Sequence, residues 1–431
     1  MTSHEGAVGT LQAIATRWNH HGIAWVVVGR YSEDHRFESD IDVVVRPSQL
    51  KAAIKIMEDL CQERDWSIVQ VFRHERRAFA AVVAQRGEKG WRFVSIDISS
   101  EFRYSGRLIQ TGDALVDQRI QRQNGWLYTP CAQEAFTFYL IKSVAKRRYD
   151  AVVRSYLNSL PTETTALTTR LLGPTTAEHI SAWLDHDEPI DADAVHAAFT
   201  TRYPLGLRGR LYETSRAWLR LRYPCGLHLA LTGPDGVGKS TVTQNVCQTL
   251  LACFRNIETT HLDVRTTQMT TAPQAVVPYR DKPRGLIGSL AKTLLLVLRF
   301  QRLYWGLSFL HRRQHGLLWS DRHFSDFVAD QERFRVKLPR WLRHLSWALV
   351  PQPDLTFVLL SSPQIIQQRS REVDFEQTAE QIKHYELLLD GRKRLRRIDA
   401  TPAPDAVALT ILDAVIELLA QRQKVRGWMI R

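Results

Sequence analysis

At 431 residues the chain is long for one domain and suits two or three, since domains usually hold about 100–200 residues. Its hydrophobic fraction of 44% and charged fraction of 24% are ordinary for a soluble globular protein. The formal charge of +13 suits phosphates, nucleotides, other polyanions or an anionic membrane surface, and it does not choose among them.

Cysteine spacing and apolar runs argue against several classes of protein. The five cysteines are scattered and form no C-x-x-C pair, so they show no metal-ligand spacing, and we expect a reducing, cytoplasmic location. Residues 1–9 lack the apolar core of a signal peptide. The most apolar run, Leu286–Leu298, contains Lys292 and is shorter than the ~20 residues of a membrane span. We interpret this run as a buried or groove-lining helix, with a membrane-surface role as the alternative.

The first hundred residues alternate between helix and strand patterns. Periodic apolar residues predict helices at 11–21 and 49–64. Short β-branched runs predict strands at 24–28, 41–45, 79–84 and 92–98, with a turn at 86–90. This pattern predicts an α/β domain over residues 1–100.

The remaining chain divides into two parts. Residues 101–222 read as mostly helical, with the clearest helix at 132–148, a Thr-rich loop interrupted by a short helix at 162–176, and an Arg-rich amphipathic connector at 204–224. From residue 223 to 431 strands and helices alternate, which is typical of a parallel sheet covered by helices. We therefore predict a helical middle region followed by a second α/β domain.

The most informative motif is Gly233–Thr241, which fits the phosphate-loop pattern G-x-x-x-x-G-K-[ST]. Glycines let the backbone curl so that several N–H groups point at one phosphate. A buried strand is predicted at 227–232 and a helix at 241–254, so the loop is expected at a helix N-terminus, which favours anions. The residues expected to hold a nucleotide are Gly233, Asp235, Gly236, Gly238, Lys239, Ser240 and Thr241.

Acidic and basic residues follow two later strands. The apolar run 317–320 ends in Asp321 and Arg322, where a carboxylate can hold magnesium or accept a proton and a guanidinium can bind an anion in bidentate fashion. A second buried strand is predicted at 353–360. The helix predicted after it carries Arg369 and Arg371, which could close over a nucleotide and neutralise charge on the transferred group.

The phosphate loop, residues 321–326, residues 353–355 and the arginines after Pro363 together resemble thymidylate kinase and its phosphate-loop relatives, over roughly residues 226–420. The resemblance implies a five-stranded parallel sheet, ATP and magnesium as cofactors, and transfer of the γ-phosphate of ATP to a phosphorylated acceptor. It also implies a role for each candidate residue: Lys239 and Ser240 bind ATP and magnesium, Asp235 and Arg322 face the acceptor, Asp321 is a base or magnesium ligand, and Arg369 and Arg371 belong to a lid.

Departures from the family pattern change the expected acceptor. Thymidylate kinases have an Arg-Glu-Pro-Gly-Gly run where this chain has 261–265, and Ser361 and Ser362 stand where an aspartate commonly ends the fourth strand. The segment 330–335 is more similar to divergent thymidylate-kinase-like proteins associated with bacterial surface polysaccharides. We therefore expect an anionic small-molecule or glycan-linked acceptor other than thymidylate. Arg333 and Arg335 are candidates to hold it, the alternative being plain surface arginines.

A second group of acids lies near the N-terminus. Asp40 and Asp42 are two residues apart on a predicted strand, so their side chains point to the same side of it. Asp97 lies on a later predicted strand. Three converging carboxylates can bind two magnesium ions and activate a hydroxyl for attack on an α-phosphate. Over roughly residues 10–150 the chain resembles the nucleotidyltransferase superfamily. Arg30 stands where that family has a small residue, so either an active or a degenerate site is expected; edge acids near a turn are the third alternative.

The sequence thus predicts an ATP- and magnesium-dependent phosphotransferase. Two alternatives remain: nucleotidyl transfer through Asp40, Asp42 and Asp97, or a nucleotide-regulated scaffold without catalysis. Nucleic-acid binding is compatible with the basic charge but is supported by no recognisable module, and the sequence does not fix the oligomeric state.

Overall fold

A computed structural model of the chain describes residues 2–28, 41–88, 90–122, 125–222, 225–262, 269–270, 284–308, 315–370, 374–390 and 392–427. The chain divides into two compact units. The first comprises residues 1–222 together with 420–431, and the second comprises residues 223–419.

The first unit is built on a mixed five-stranded sheet. Its strands are β1 (Trp25–Val27), β2 (Ile41–Val45), β3 (Ser67–Glu75), β4 (Ala78–Gly87) and β5 (Gly90–Ser99). Their spatial order is β1-β2-β5-β4-β3. Strands β2 and β5 are parallel, and the other neighbours are antiparallel.

Alternation along β2 gives this sheet two buried faces. Val43 and Val45 pack with Trp18 of α1 (Thr2–His20) and Met57 of α2 (Leu50–Glu63). Val44 points to the opposite face, among apolar side chains of α4 to α8. The flanking elements are α3 (Gly112–Asp117), α4 (Ala132–Lys146), α5 (Ala151–Asn158), α6 (Thr164–Leu172), α7 (Pro174–His186), α8 (Ala192–Arg202) and α9 (Leu207–Arg222).

The structure adds elements that the sequence patterns did not predict. β3 is one of them, and two short antiparallel pairs are others: β6 (Glu101–Tyr104) with β7 (Arg107–Thr111), and β8 (Ile120–Gln121) with β9 (Tyr128–Thr129). The Thr-rich stretch is mostly helix rather than loop, since α6 and α7 occupy it. Threonine is a poor helix former, but burial of Leu167 and Leu171 outweighs that weak preference.

The second unit alternates strand and helix. Its strands are β10 (Leu227–Thr232), β11 (Ile257–Leu262), β12 (Met269–Thr270), β13 (Leu317–Asp321), β14 (Leu355–Leu360) and β15 (Leu395–Asp399). Its helices are α10 (Lys239–Leu250), α11 (Leu286–Leu303), which continues as a π-helical turn (Tyr304–Ser308), α12 (Phe324–Ala329), α13 (Arg340–Ala348), α14 (Pro363–Arg369), α15 (Phe375–Leu389) and the part of α16 (Pro404–Arg426) up to residue 419.

Five of these strands form the predicted parallel sheet, which is confirmed. The order is β12-β11-β13-β10-β14-β15, and β12 alone pairs antiparallel. The central strand, β10, is buried along its whole length. The chain leaves β10 toward β11 on one side and later adds β14 and β15 on the other, so the carboxyl end of β10 is a topological switch point, where α/β sheets bind ligands.

Candidate functional site

The phosphate loop lies at this switch point, between the end of β10 and the start of α10. Gly233 has φ +146°, and a Cβ added there would lie 2.4 Å from the carbonyl oxygen of Leu359. Gly236 has φ +78°, and an added Cβ would lie 2.6 Å from Cβ of Ser370. Both positions therefore require glycine, by conformation and by space. The loop is held tightly between β14 and the residue that follows α14.

Lys239 is buried at the first turn of α10, with only 8% of its surface exposed. Its Nζ donates hydrogen bonds to the carbonyl oxygens of Gly233 (3.0 Å) and Pro234 (2.7 Å). Burial, with a further contribution from the Arg322 guanidinium, lowers the pKa of Lys239 to about 8. The amino group thus lies inside the curl of the loop, where negatively charged ligand oxygens would compensate its charge better than two carbonyls do.

Asp321 ends β13 beside the loop. His261, its register partner on β11, places Nδ1 3.1 Å from Oδ2 of Asp321. Burial alone would raise the pKa of Asp321, but the hydrogen bond from His261 and the charges of Lys239 and Arg322 lower it, so the group is a carboxylate. Its Oδ1 is buried and accepts no hydrogen bond from the described residues.

The donor set at this position fits a hard cation. The buried Oδ1 of Asp321 has spare lone pairs, and Ser240, one residue after Lys239, is exposed at the helix start. Carboxylate and hydroxyl oxygens are ligands that magnesium prefers, and magnesium completes its coordination with water and phosphate. Among the described residues no group of three or more His, Cys, Asp or Glu is placed to hold a metal ion.

A buried ionic network supports the strand ends. Arg322 is 3% exposed and adopts φ +70°, a conformation rare for residues other than glycine. Its Nη1 donates to Oδ1 of Asp326 at 3.0 Å. Asp326 is fully buried and also accepts from the Tyr385 hydroxyl (2.7 Å), the Thr232 hydroxyl (2.6 Å) and the His323 backbone N–H (3.1 Å). Burial would lower the pKa of Arg322, but Asp235 and Asp326 outweigh it and raise the pKa.

Asp235, within the loop, bridges two guanidinium groups. One oxygen accepts from Arg322 and the other from Arg333. Burial would raise the pKa of Asp235, but these two arginines and Lys239 hold it well below its usual range. Arg333 is therefore not a plain surface arginine. It lies in the turn that follows α12, and its guanidinium reaches Asp235 in the phosphate loop.

The predicted lid residues are placed differently from one another. Arg369, at the end of α14, donates to the carbonyl oxygens of Ala400 (2.7 Å) and Thr401 (3.0 Å), after β15, and not to the loop. Its neighbour Ser370 packs directly on Gly236. Arg371 lies outside the described residues, as do 263–265, where the family pattern departs. A cavity of about 600 Å³ lies beside this segment, lined by residues that include Ser361, Ser362, Asp399 and Thr401.

The acids of the first unit are only partly described. Asp42 and Asp97 are register neighbours on the parallel strands β2 and β5, so they share a face of the sheet. That face lies toward α4, whose Lys142 forms an ion pair with Asp42 at 2.8 Å. Asp40 and Arg30 lie outside the described residues, so the predicted convergence of three carboxylates stays a prediction.

The sequence patterns predicted no role for three residues at the site of the second unit: His261, Asp326 and Tyr385. Asp326 lies four residues after Arg322, but Arg322 precedes α12 and adopts φ +70°, so helical i,i+4 spacing gave no usable indication of this pair. His261 and Tyr385 gave none, since each reaches the site only through strand register or helix packing.

No family model and no curated protein matches the chain. Among solved structures, the chain is similar to the thymidylate kinase from Ehrlichia chaffeensis, with 14% sequence identity and a TM-score of 0.33. The similarity covers 44% of this chain and 100% of that one. A TM-score this low supports no argument about this chain, so function is inferred below from the residues of the site.

Proposed function

We propose that the second unit is an ATP- and magnesium-dependent phosphotransferase that acts on an anionic acceptor. The observation that carries this proposal is the buried Lys239 inside a phosphate loop, next to a carboxylate, Asp321, that keeps one buried oxygen without a hydrogen bond among the described residues. Phosphoryl transfer depends on positioning and charge stabilisation. The buried Lys239 ammonium and the Asp321 carboxylate oxygen, both at the switch point of the sheet, supply groups of the kind that this reaction needs.

Each residue has a defined task under this proposal. The backbone N–H groups of the loop and Lys239 bind the nucleotide phosphates, and Ser240 with Asp321 would hold magnesium, which supplies charge neutralisation at the transferred phosphoryl group. Thr241 and Gly238 complete the helix start at which the phosphates bind. The lowered pKa of Asp321 keeps the group ionised, which suits the magnesium ligand; positioning the attacking group and accepting its proton is the alternative role for the same carboxylate.

The acceptor is an anion held by arginines. Arg322 and Arg333 both lie at Asp235, and a second anion arriving there would meet two guanidinium groups that are already oriented. The likeness of residues 330–335 to polysaccharide-associated relatives favours a glycan-linked or small phosphorylated acceptor. Arg369 and Arg371 are proposed to close over the nucleotide, and the packing of Ser370 on Gly236 supports a link between that segment and the loop.

A second candidate function belongs to the first unit. The shared face of Asp42 and Asp97 favours nucleotidyl transfer assisted by magnesium, with Asp40 as the third carboxylate. A nucleotide-regulated scaffold is the non-catalytic alternative.

One assay separates the three functions. ATP consumption and products would be measured over a panel of phosphorylated sugars, nucleotides and glycan phosphates, for wild type, Lys239→Ala and the double variant Asp40→Asn/Asp42→Asn. The kinase proposal expects γ-phosphate transfer that is lost in Lys239→Ala and retained in the double variant. Pyrophosphate release that is lost only in the double variant would support nucleotidyl transfer instead. ATP binding without turnover on any acceptor would support the scaffold.

A further inference from the structure

The outer face of α11 is apolar although it is exposed. Ile287, Leu290, Leu294 and Leu298 recur at helical spacing and are 84%, 42%, 61% and 57% exposed. Half of the exposed large apolar side chains among the described residues lie on α11, the turn after it and the segment 341–349. Scattered exposed leucines are normal, but a contiguous patch of this kind marks an interaction surface.

The inner face of the same helix is unusually polar at its start. Ser289, Lys292 and Thr293 are buried, and each makes a hydrogen bond within the unit. The Lys292 ammonium donates to the carbonyl oxygen of Phe334 at 2.7 Å. Further along this face Leu296, Val297 and Phe300 are buried in the apolar core of the unit. The inner face therefore already attaches the helix to its own unit, and the exposed leucines form a second apolar face that this packing does not use.

Helix α13 extends the apolar surface. Gln301 of α11 donates to the carbonyl oxygen of Leu349 at 2.5 Å, which places the end of α13 beside α11. Trp341, Leu345 and Leu349 are 67%, 53% and 57% exposed. Trp305, in the turn after α11, is 62% exposed. Exposed tryptophan beside leucine is typical of helices that lie at a membrane interface.

The two segments that carry this surface contain basic residues and no acidic ones. Residues 284–308 and 333–353 contain no Asp or Glu, whereas they contain Arg284, Arg302, Lys337 and Arg340, all exposed. In a two-fold dimer the same patch would meet itself and bring these cations together. Anionic lipid headgroups would instead pair with them. None of the described helices has the length and apolar character to cross a bilayer, so the fitting geometry is a helix in the plane of the surface.

We infer that α11 and α13 dock the protein on an anionic lipid surface, with the leucines of α11 in the acyl boundary and the surrounding arginines and lysine at the headgroups. The inference is independent of catalysis, since none of these residues belongs to the phosphate-loop site. The partner of this apolar surface is lipid and not a second copy of the chain.

Co-sedimentation of the full chain with vesicles tests the inference. Vesicles of phosphatidylcholine alone would be compared with vesicles containing about 30% phosphatidylglycerol, and binding is expected to be at least about tenfold stronger to the latter. Leu290→Ser/Leu294→Ser/Leu298→Ser should lower that binding about tenfold or more. The matched control Leu207→Ser/Leu211→Ser/Leu251→Ser changes equally exposed leucines elsewhere and should bind as wild type does. Lys337→Gln/Arg340→Gln should weaken the preference for anionic vesicles.

Three results would overturn the inference. They are equal binding to both vesicle types, unchanged binding of the α11 triple variant, and a lipid-independent dimer in sedimentation velocity that the triple variant dissociates. The last result would assign the surface to a second copy. All the changed side chains are exposed, so each variant is expected to keep the fold. Circular dichroism of each variant checks this.

Discussion

Both units carry acids on parallel strands, Asp321 at the carboxyl end of β13 and Asp42 near the start of β2, but the two acids have different neighbours. In the second unit Asp321 receives one hydrogen bond from His261 and keeps a buried oxygen without one among the described residues. In the first unit Asp42 is held by Lys142. The comparison teaches that strand register decides which acids share a face or an end of a sheet, and that the packed strand or helix decides which basic group each acid meets.

The largest expected effect concerns the network beneath the second site. Asp326→Ala removes the acceptor of four hydrogen bonds and leaves Arg322 buried with one fewer anion, so unfolding of this unit should become easier by about 3–5 kcal/mol. Tyr385→Phe, the matched control, removes one of these bonds and should cost about 1.5 kcal/mol. Denaturant-dependent hydrogen exchange of peptides from β10 and β13 measures both. Equal costs would show that Asp326 is not the centre of the network.

The next effect separates chemistry from binding. Asp321→Asn keeps the shape but removes the charge and the proton acceptor, so kcat should fall about 100-fold while ATP affinity stays within a few fold. Single-turnover phosphoryl transfer and calorimetric ATP binding give the two quantities. His261→Gln, which acts on Asp321 from β11, should give a smaller loss in kcat. A fall in ATP affinity without a change in kcat would assign Asp321 to binding alone.

A third prediction uses the pKa of Lys239, which is about 8 in the free protein. Bound phosphates favour the charged amine, so ATP binding raises this pKa and takes up a proton above pH 8. ATP affinity should be level below pH 8 and fall by up to about tenfold per pH unit above it. Titration calorimetry at pH 7 and pH 9, in buffers of different ionisation enthalpy, measures the uptake. Lys239→Arg keeps the charge at both pH values and should show none, since a guanidinium does not titrate there; uptake in this variant would point to another group.

The smallest effect is expected in the first unit. The side chains of Asp42 and Lys142 are both partly exposed, so a double-mutant cycle of Asp42→Asn and Lys142→Met should give a coupling below about 1 kcal/mol. Magnesium should leave the stability of this unit unchanged, and phosphoryl transfer from ATP should be unaffected by either change. If magnesium stabilises the wild-type unit but not Asp42→Asn, the acids of the first unit bind magnesium as well. Nucleotidyl transfer then becomes the stronger candidate function.

Local patterns determined much of this protein. The parallel sheet of the second unit, the strand and helix around Gly233–Thr241, and the acid at the end of β13 all follow from short-range spacing, because glycine conformation, strand burial and helix periodicity are local properties. Propensity alone failed for the Thr-rich stretch, where tertiary burial of leucines stabilised helices.

Only the tertiary structure decided what surrounds these motifs. It placed His261 on Asp321 through strand register, joined Asp235 to both Arg322 and Arg333, and directed Arg369 to carbonyls after β15. It also left Leu290, Leu294 and Leu298 of α11 exposed while it buried Leu296, where the sequence favoured a buried or groove-lining helix. Such outcomes depend on contacts between residues far apart in the chain. The sequence determines which side chains the protein has, and the packing of strands and helices determines which of these side chains come into contact.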